Sequence, residues 1–130
     1  MAILITGDIH LNAKPRDRYR HDWQIHLRAL VNKHGAKVVI ILGDLSDEKD
    51  FHPAALVNAV VDHLWRLSDL APVVVLKGNH DYAGAIPFFA FLGRIEGVYW
   101  VGSPLLAGDL PKPLPGLLNG SGRAIFLPHT

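Results

Sequence analysis

The chain contains no cysteine, so neither a disulfide nor a thiolate-bound metal or cluster can form within its 130 residues. Absence of cysteine suits a reducing compartment, and a cytoplasmic location is expected. Charge of one sign is also missing. The formal net charge is +1, which supplies no global field from which a polyanionic or cationic partner can be inferred. No apolar run approaches the length needed to span a bilayer. The N-terminus has no basic leader region, and Asp8 interrupts its only apolar run, so it does not read as a signal peptide. No Gly-x-x-x-x-Gly-Lys-Ser/Thr loop, helix-turn-helix or zinc finger is present, so ATP hydrolysis would need another chain.

What remains is a chain that is 49% hydrophobic, enough to build the core of one domain spanning residues 1–130. Three apolar runs stand out: Ala2–Thr6, Val38–Leu42 and Val73–Leu76. The second is apolar throughout, as in a parallel strand buried on both faces. Between them the spacing predicts a helix over 16–34, with Trp23, Leu27, Leu30 and Val31 on its apolar face and Gly35 as its stop. A second helix is predicted to open at His52-Pro53, bury Val57, Val60, Val61 and Leu64, and end near Asp69. Residues 86–92 are predicted as a short helix and 98–101 as a strand. Residues 102–122, rich in glycine and proline, read as surface loop, and 123–127 as a last strand. This strand–helix alternation is an α/β fold.

Each apolar run is followed by a short polar motif: Gly7-Asp8-Ile9-His10, Gly43-Asp44-Leu45-Ser46-Asp47 and Gly78-Asn79-His80-Asp81. In an open parallel sheet, ligands gather at the carboxyl ends of the strands, so the three motifs converge on one edge. Asp8 and His10 alternate along a segment expected to be extended, and both can face one cation. The carboxylate of Asp44 has two oxygens and can bridge two ions, and Asn79 offers an amide oxygen to the second. Carboxylate, imidazole and carbonyl donors together suit manganese, iron or zinc. Taken singly, Asp8 and Asp44 read better as turn formers or helix caps; the set of three motifs favours metal.

In order and spacing these motifs resemble the Asp-x-His, Gly-Asp-x-x-Asp and Gly-Asn-His-Asp/Glu pattern of the calcineurin-like metallophosphoesterases. The likeness covers residues 1–82 most fully. It implies a sandwich of helices packed on β-sheets and a binuclear centre with two divalent ions, manganese first and iron or zinc as alternatives. Asp8, His10 and Asp44 would hold one ion, and Asp44 and Asn79 the other. The fourth motif of the family is a histidine after a further strand, a position matched by His129. His80 would act on the leaving group with Asp81 orienting it, while Asp47 reads as loop-shaping. The Gly-His-x-His motif of the family has no counterpart here. A truncated, incomplete N-terminal portion, a natural short form, and a chain that borrows ligands in a homodimer all stay open, with weak activity expected of these 130 residues alone.

The surroundings of the first two motifs are most similar to the DNA-repair exonuclease branch. That implies a nuclease acting on DNA and, by resemblance only, an ATPase partner subunit. Arg16, Arg18 and Arg20, with Lys14, are candidate contacts to substrate phosphates, although Asp17 and Asp22 dilute the patch. A small-molecule or phosphoprotein phosphoesterase and a non-catalytic metal-binding scaffold are the alternatives. His21, His26, His34, His52 and His63 read as solvated or half-buried helix residues, and Trp23 and Trp65 as core.

Overall fold

A computed structural model describes residues 2–48, 51–79, 82–83, 86–118 and 125–128. Chain order is β1 (Ala2–Thr6), α1 (Trp23–His34), β2 (Ala36–Ile41), α2 (Ala54–Ser68), β3 (Val73–Leu76), β4 (Tyr82–Ala83), β5 (Ile86–Pro87), β6 (Val98–Val101), β7 (Leu105–Leu106), α3 (Leu114–Leu118) and β8 (Ile125–Phe126). Four of these strands form one parallel sheet in the order β1-β2-β3-β6. β4–β5 and β7–β8 are two-stranded antiparallel ribbons. The α/β expectation is met.

Alternation along the strands sorts side chains between two cores. Val39, Ile41, Val73, Val75 and Val98 face the helices and join Leu27, Val31, Leu56, Val60, Leu64 and Leu67. Val38, Ile40, Val74, Leu76 and Val101 face the other way, against Ala107, Leu110, Leu114, Leu118 and Phe126. Each fully buried aliphatic side chain contributes about 1.5–3 kcal/mol relative to exposure. β1 lies at the sheet edge, and its Ile3 and Ile5 are exposed.

The helices depart from the sequence reading in ways the side chains explain. Residues 15–22 form a 3-10 helix rather than the first turns of an α-helix. Pro-Arg-Asp-Arg-Tyr-Arg-His-Asp buries no residue, so no apolar stripe seats it, and the α-helix begins where Trp23 supplies one. Gly35 closes α1 in the left-handed conformation, as expected of a glycine stop. Leu30, placed on the apolar face from sequence, is exposed. On α2 the buried stripe is Leu56, Val60, Leu64 and Leu67, rotated from the expected one so that Val57 and Val61 are half-buried. The same rotation turns Trp65 outward, and it is not core. A 3-10 helix at Phe89–Arg94 replaces the short helix expected from Pro87. Residues 102–118 are not a plain loop. Leu105, Ala107, Leu110, Leu114 and Leu118 occur often enough to cover the second face of the sheet, and they form β7, a 3-10 turn and α3. Among the described residues no helix is long and apolar enough to cross a membrane.

Candidate metal centre

The parallel pairing of β1 and β2 does not stop at Thr6 and Ile41. His10 N–H donates to Asp44 O (2.9 Å), Leu11 N–H to Leu45 O (2.8 Å) and Asp47 N–H to Leu11 O (2.8 Å). The first and second motifs are thus zipped into one platform beyond the sheet edge. Leu11 and Leu45 are wholly buried in the helix-side core. Each anchors the chain beside a polar neighbour, so His10 and Asp44 are carried to the rim while the leucines point in.

The backbone at the rim differs from the extended path expected. Asp8 (φ 55°), His10 (φ 52°) and Asp44 (φ 53°) are all left-handed. Such backbone costs an L residue roughly 1–2 kcal/mol, least for Asp, Asn and His. An extended strand would line Asp8 and His10 up on one face of the sheet, and the left-handed backbone at both residues departs from that path. One ligating atom from each of Asp8, His10 and Asp44 lies within 4.8 Å of the others. His10 Nε2 is 3.6 Å from Asp8 Oδ1. Two carboxylates and one imidazole at this spacing fit a divalent cation that accepts oxygen and nitrogen donors.

The third motif reaches the same place through glycine. Gly43 is left-handed (φ 98°), and a Cβ on it would come within 2.6 Å of Gly78 Cα and N. A Cβ on Gly78 would in turn strike the backbone N and carboxylate of Asp44. Only two glycines allow the second and third loops this close. Asn79, exposed, follows directly. His80, Asp81 and His129 lie outside the described residues.

The three arginines separate. Arg16 and Arg18 are exposed. Arg20 turns inward: its guanidinium donates to His10 O (3.0 Å) and lies 3.6 Å from Asp17 Oδ1 and 3.8 Å from Asp47 Oδ2. Asp8, Ile9, His10, Arg20 and Asp47 line an open cleft of about 390 Å³. Behind it, the buried Asn12 amide donates to Asp17 Oδ2 (2.9 Å). That hydrogen bond first, then the charges of Arg20, Arg16 and Lys14, hold the Asp17 carboxyl below its ordinary pKa against the opposing effect of burial.

Sequence reasoning missed two associations. Asp47 Oδ1 stands 3.3 Å from His10 Nδ1, a partner hidden by a separation of 37 residues. His21 and His63, read as solvated or half-buried helix residues, meet with Nδ1 and Nε2 3.4 Å apart, and His21 Nε2 also contacts Asn12 O at 2.9 Å. Burial, and then the neighbouring His21, lower the His63 pKa. The histidines are 42 residues apart on different helical segments, and no local spacing announces them.

Among solved structures, the chain is similar to the nuclease MPE of Pseudomonas putida, with a TM-score of 0.54 at 23% identity. The match covers 85% of this chain and 50% of that one, so the chain spans about half the length of that structure. At this identity the likeness speaks for the fold. The sequence profile described as calcineurin-like phosphoesterase matches residues 1–129, nearly the whole length. With the donors of the first two motifs converging at one sheet edge and Gly78 of the third packed against them, the chain belongs to the calcineurin-like phosphoesterase family.

Proposed function

We propose that the chain is a metal-dependent phosphoesterase domain, acting as a phosphodiesterase or nuclease on DNA. The observation that carries the reading is the convergence of Asp8, His10 and Asp44 within 4.8 Å at the carboxyl edge of the sheet, in a chain of this family. In this reading Asp8, His10 and Asp44 hold one divalent ion, Asp44 and Asn79 hold a second, and His129 supplies a further ligand. Bound manganese, or iron or zinc in its place, would polarise phosphoryl oxygens and lower the pKa of a coordinated water.

The residues of the chain contribute orientation and charge. The zipped loops fix the Asp44 carboxylate against Gly78, so a phosphoryl group meets a preset rim; such positioning supplies much of the rate in reactions of this kind. Arg16 and Arg18, exposed on the 3-10 segment that follows the first motif, offer charge to backbone phosphates. His80 would protonate the departing oxygen, oriented by Asp81. The DNA assignment draws on this basic segment and on the resemblance to the repair-exonuclease branch. Cooperation with an ATPase subunit is part of the same proposal.

The test is manganese titration by calorimetry, paired with hydrolysis of DNA ends, bis-p-nitrophenyl phosphate and p-nitrophenyl phosphate. Binding in the wild type that is lost in Asp44→Ala, with diester cleaved in preference to monoester, is the expected result. Manganese binding unchanged in Asp44→Ala overturns the metal centre, and preference for the monoester overturns the nuclease assignment.

A further inference from the structure

We infer that Asp47 and Arg20 are positioning residues that hold the His10 imidazole in one tautomer, with the proton on Nδ1 and Nε2 turned toward Asp8. The inference rests on the reading of His10 as a metal ligand, and it gives Arg20 a role different from phosphate binding.

His10 Nδ1 is sealed from solvent and has Asp47 Oδ1 3.3 Å away, a contact of charge and distance rather than an aligned hydrogen bond. A carboxylate accepts and does not donate, so the nitrogen facing it is stabilised when it carries the proton. Nε2, on the other side of the ring, lies 3.6 Å from Asp8 Oδ1, and His10 forms one donor group with Asp8 and Asp44. An imidazole protonated on Nδ1 offers an Nε2 lone pair to a cation without first losing a proton. Carboxylates that bind the far nitrogen of a ligating histidine set its orientation and raise its basicity in this way.

Arg20 closes the arrangement. One guanidinium nitrogen donates to the His10 carbonyl at 3.0 Å and lies 3.8 Å from Asp47 Oδ2, while the other terminal nitrogen lies 3.6 Å from Asp17 Oδ1. The same side chain thus grips the left-handed backbone of His10 and the carboxylate facing its ring. Asp17 is itself held by the Asn12 amide, so the arginine has a fixed footing. The guanidinium is charged at every accessible pH and has donors in a rigid fork, which suits it to bridge a carbonyl and two carboxylates at once.

The decisive measurement is a nitrogen–proton correlation spectrum of the imidazoles in the metal-free, uniformly labelled chain. It is recorded well above the ordinary imidazole pKa of about 6.5, so that the rings are neutral. His10→Gln identifies the His10 signals by their disappearance. The expected spectrum shows His10 protonated on Nδ1. Asp47→Ala should abolish that preference, whereas Asp47→Asn, whose amide oxygen still accepts, should restore it. In manganese titration Asp47→Ala should lose about 10- to 100-fold in affinity, with Asp47→Asn and Arg20→Lys losing less than Asp47→Ala and Arg20→Ala respectively. A His10 ring protonated on Nε2 in the wild type, or a tautomer indifferent to Asp47→Ala in a folded protein, overturns the inference. Should Asp47→Ala change the tautomer in a chain that binds no manganese, the positioning pair stands and the metal centre falls.

Discussion

The helix-side core and the carboxyl rim of the sheet are built from the same strands, yet they obey opposite rules. In the core, Val39, Ile41, Leu64 and Val75 are completely buried within regular strands and a regular helix. At the rim, three consecutive candidate ligands of the first two motifs adopt left-handed backbone, and two glycine loops approach more closely than side chains permit. The core gains stability from each residue, whereas the rim gives some up to hold polar groups in one place. Strained backbone of this kind persists where the surrounding structure over-determines it. Here that surrounding is the buried pair Leu11 and Leu45 together with the hydrogen bonds from one motif to the other.

Substitutions on the two sides should move stability in opposite directions. The largest change is expected from Leu64→Ala in the core, which should lower unfolding free energy by about 2–5 kcal/mol through lost transfer energy and a cavity. Manganese affinity of the remaining folded fraction should hardly change, as a combined denaturation and calorimetry experiment would show. A smaller effect of the other sign is expected from Asp8→Gly. Glycine removes the steric cost at φ 55°, so unfolding free energy should rise by about 0.5–1 kcal/mol while manganese affinity falls. A loss of stability in Asp8→Gly would break the contrast, because the rim would then be no more strained than the core.

The smallest effect sharpens the boundary between the two regions. His63 sits behind the rim on α2, and its folded pKa is lowered by burial and by His21. The unfolded chain therefore binds a proton more readily than the native one. As pH falls through about 6.5 and on toward the lowered native value, stability should decline, and above that window the effect should vanish. His63→Gln should flatten this part of the stability profile in thermal melts run across acidic pH. An unchanged slope would mean that the pair does not register in folding.

The same contrast explains what the sequence made legible. Strands β3 and β6 occupy the runs expected, because four consecutive apolar residues bounded by turns leave little choice of register. The convergence of Asp8, His10 and Asp44 follows from strand topology plus motif order, both visible in the chain. Helix rotation was less legible: on α2, Leu56 and Leu67 complete a stripe that valines at 57 and 61 imitate in sequence, and only packing against the sheet decides between them. The kinks at the rim and the contacts of Asp47 and Arg20 were not legible at all. The contacts of Asp47 with His10 and Arg20 join segments far apart in sequence, and residue spacing carries no record of them.

The contact between Gly43 and Gly78 has one more consequence, for how this chain can change. Each glycine is excluded from carrying a side chain by the main chain of the other loop, and main chain cannot be trimmed by mutation. A larger residue at either position therefore has no compensating partner substitution within the pair. The two positions are closed independently, and any design that shifts β3 against β2 must carry the Asp44 carboxylate with it.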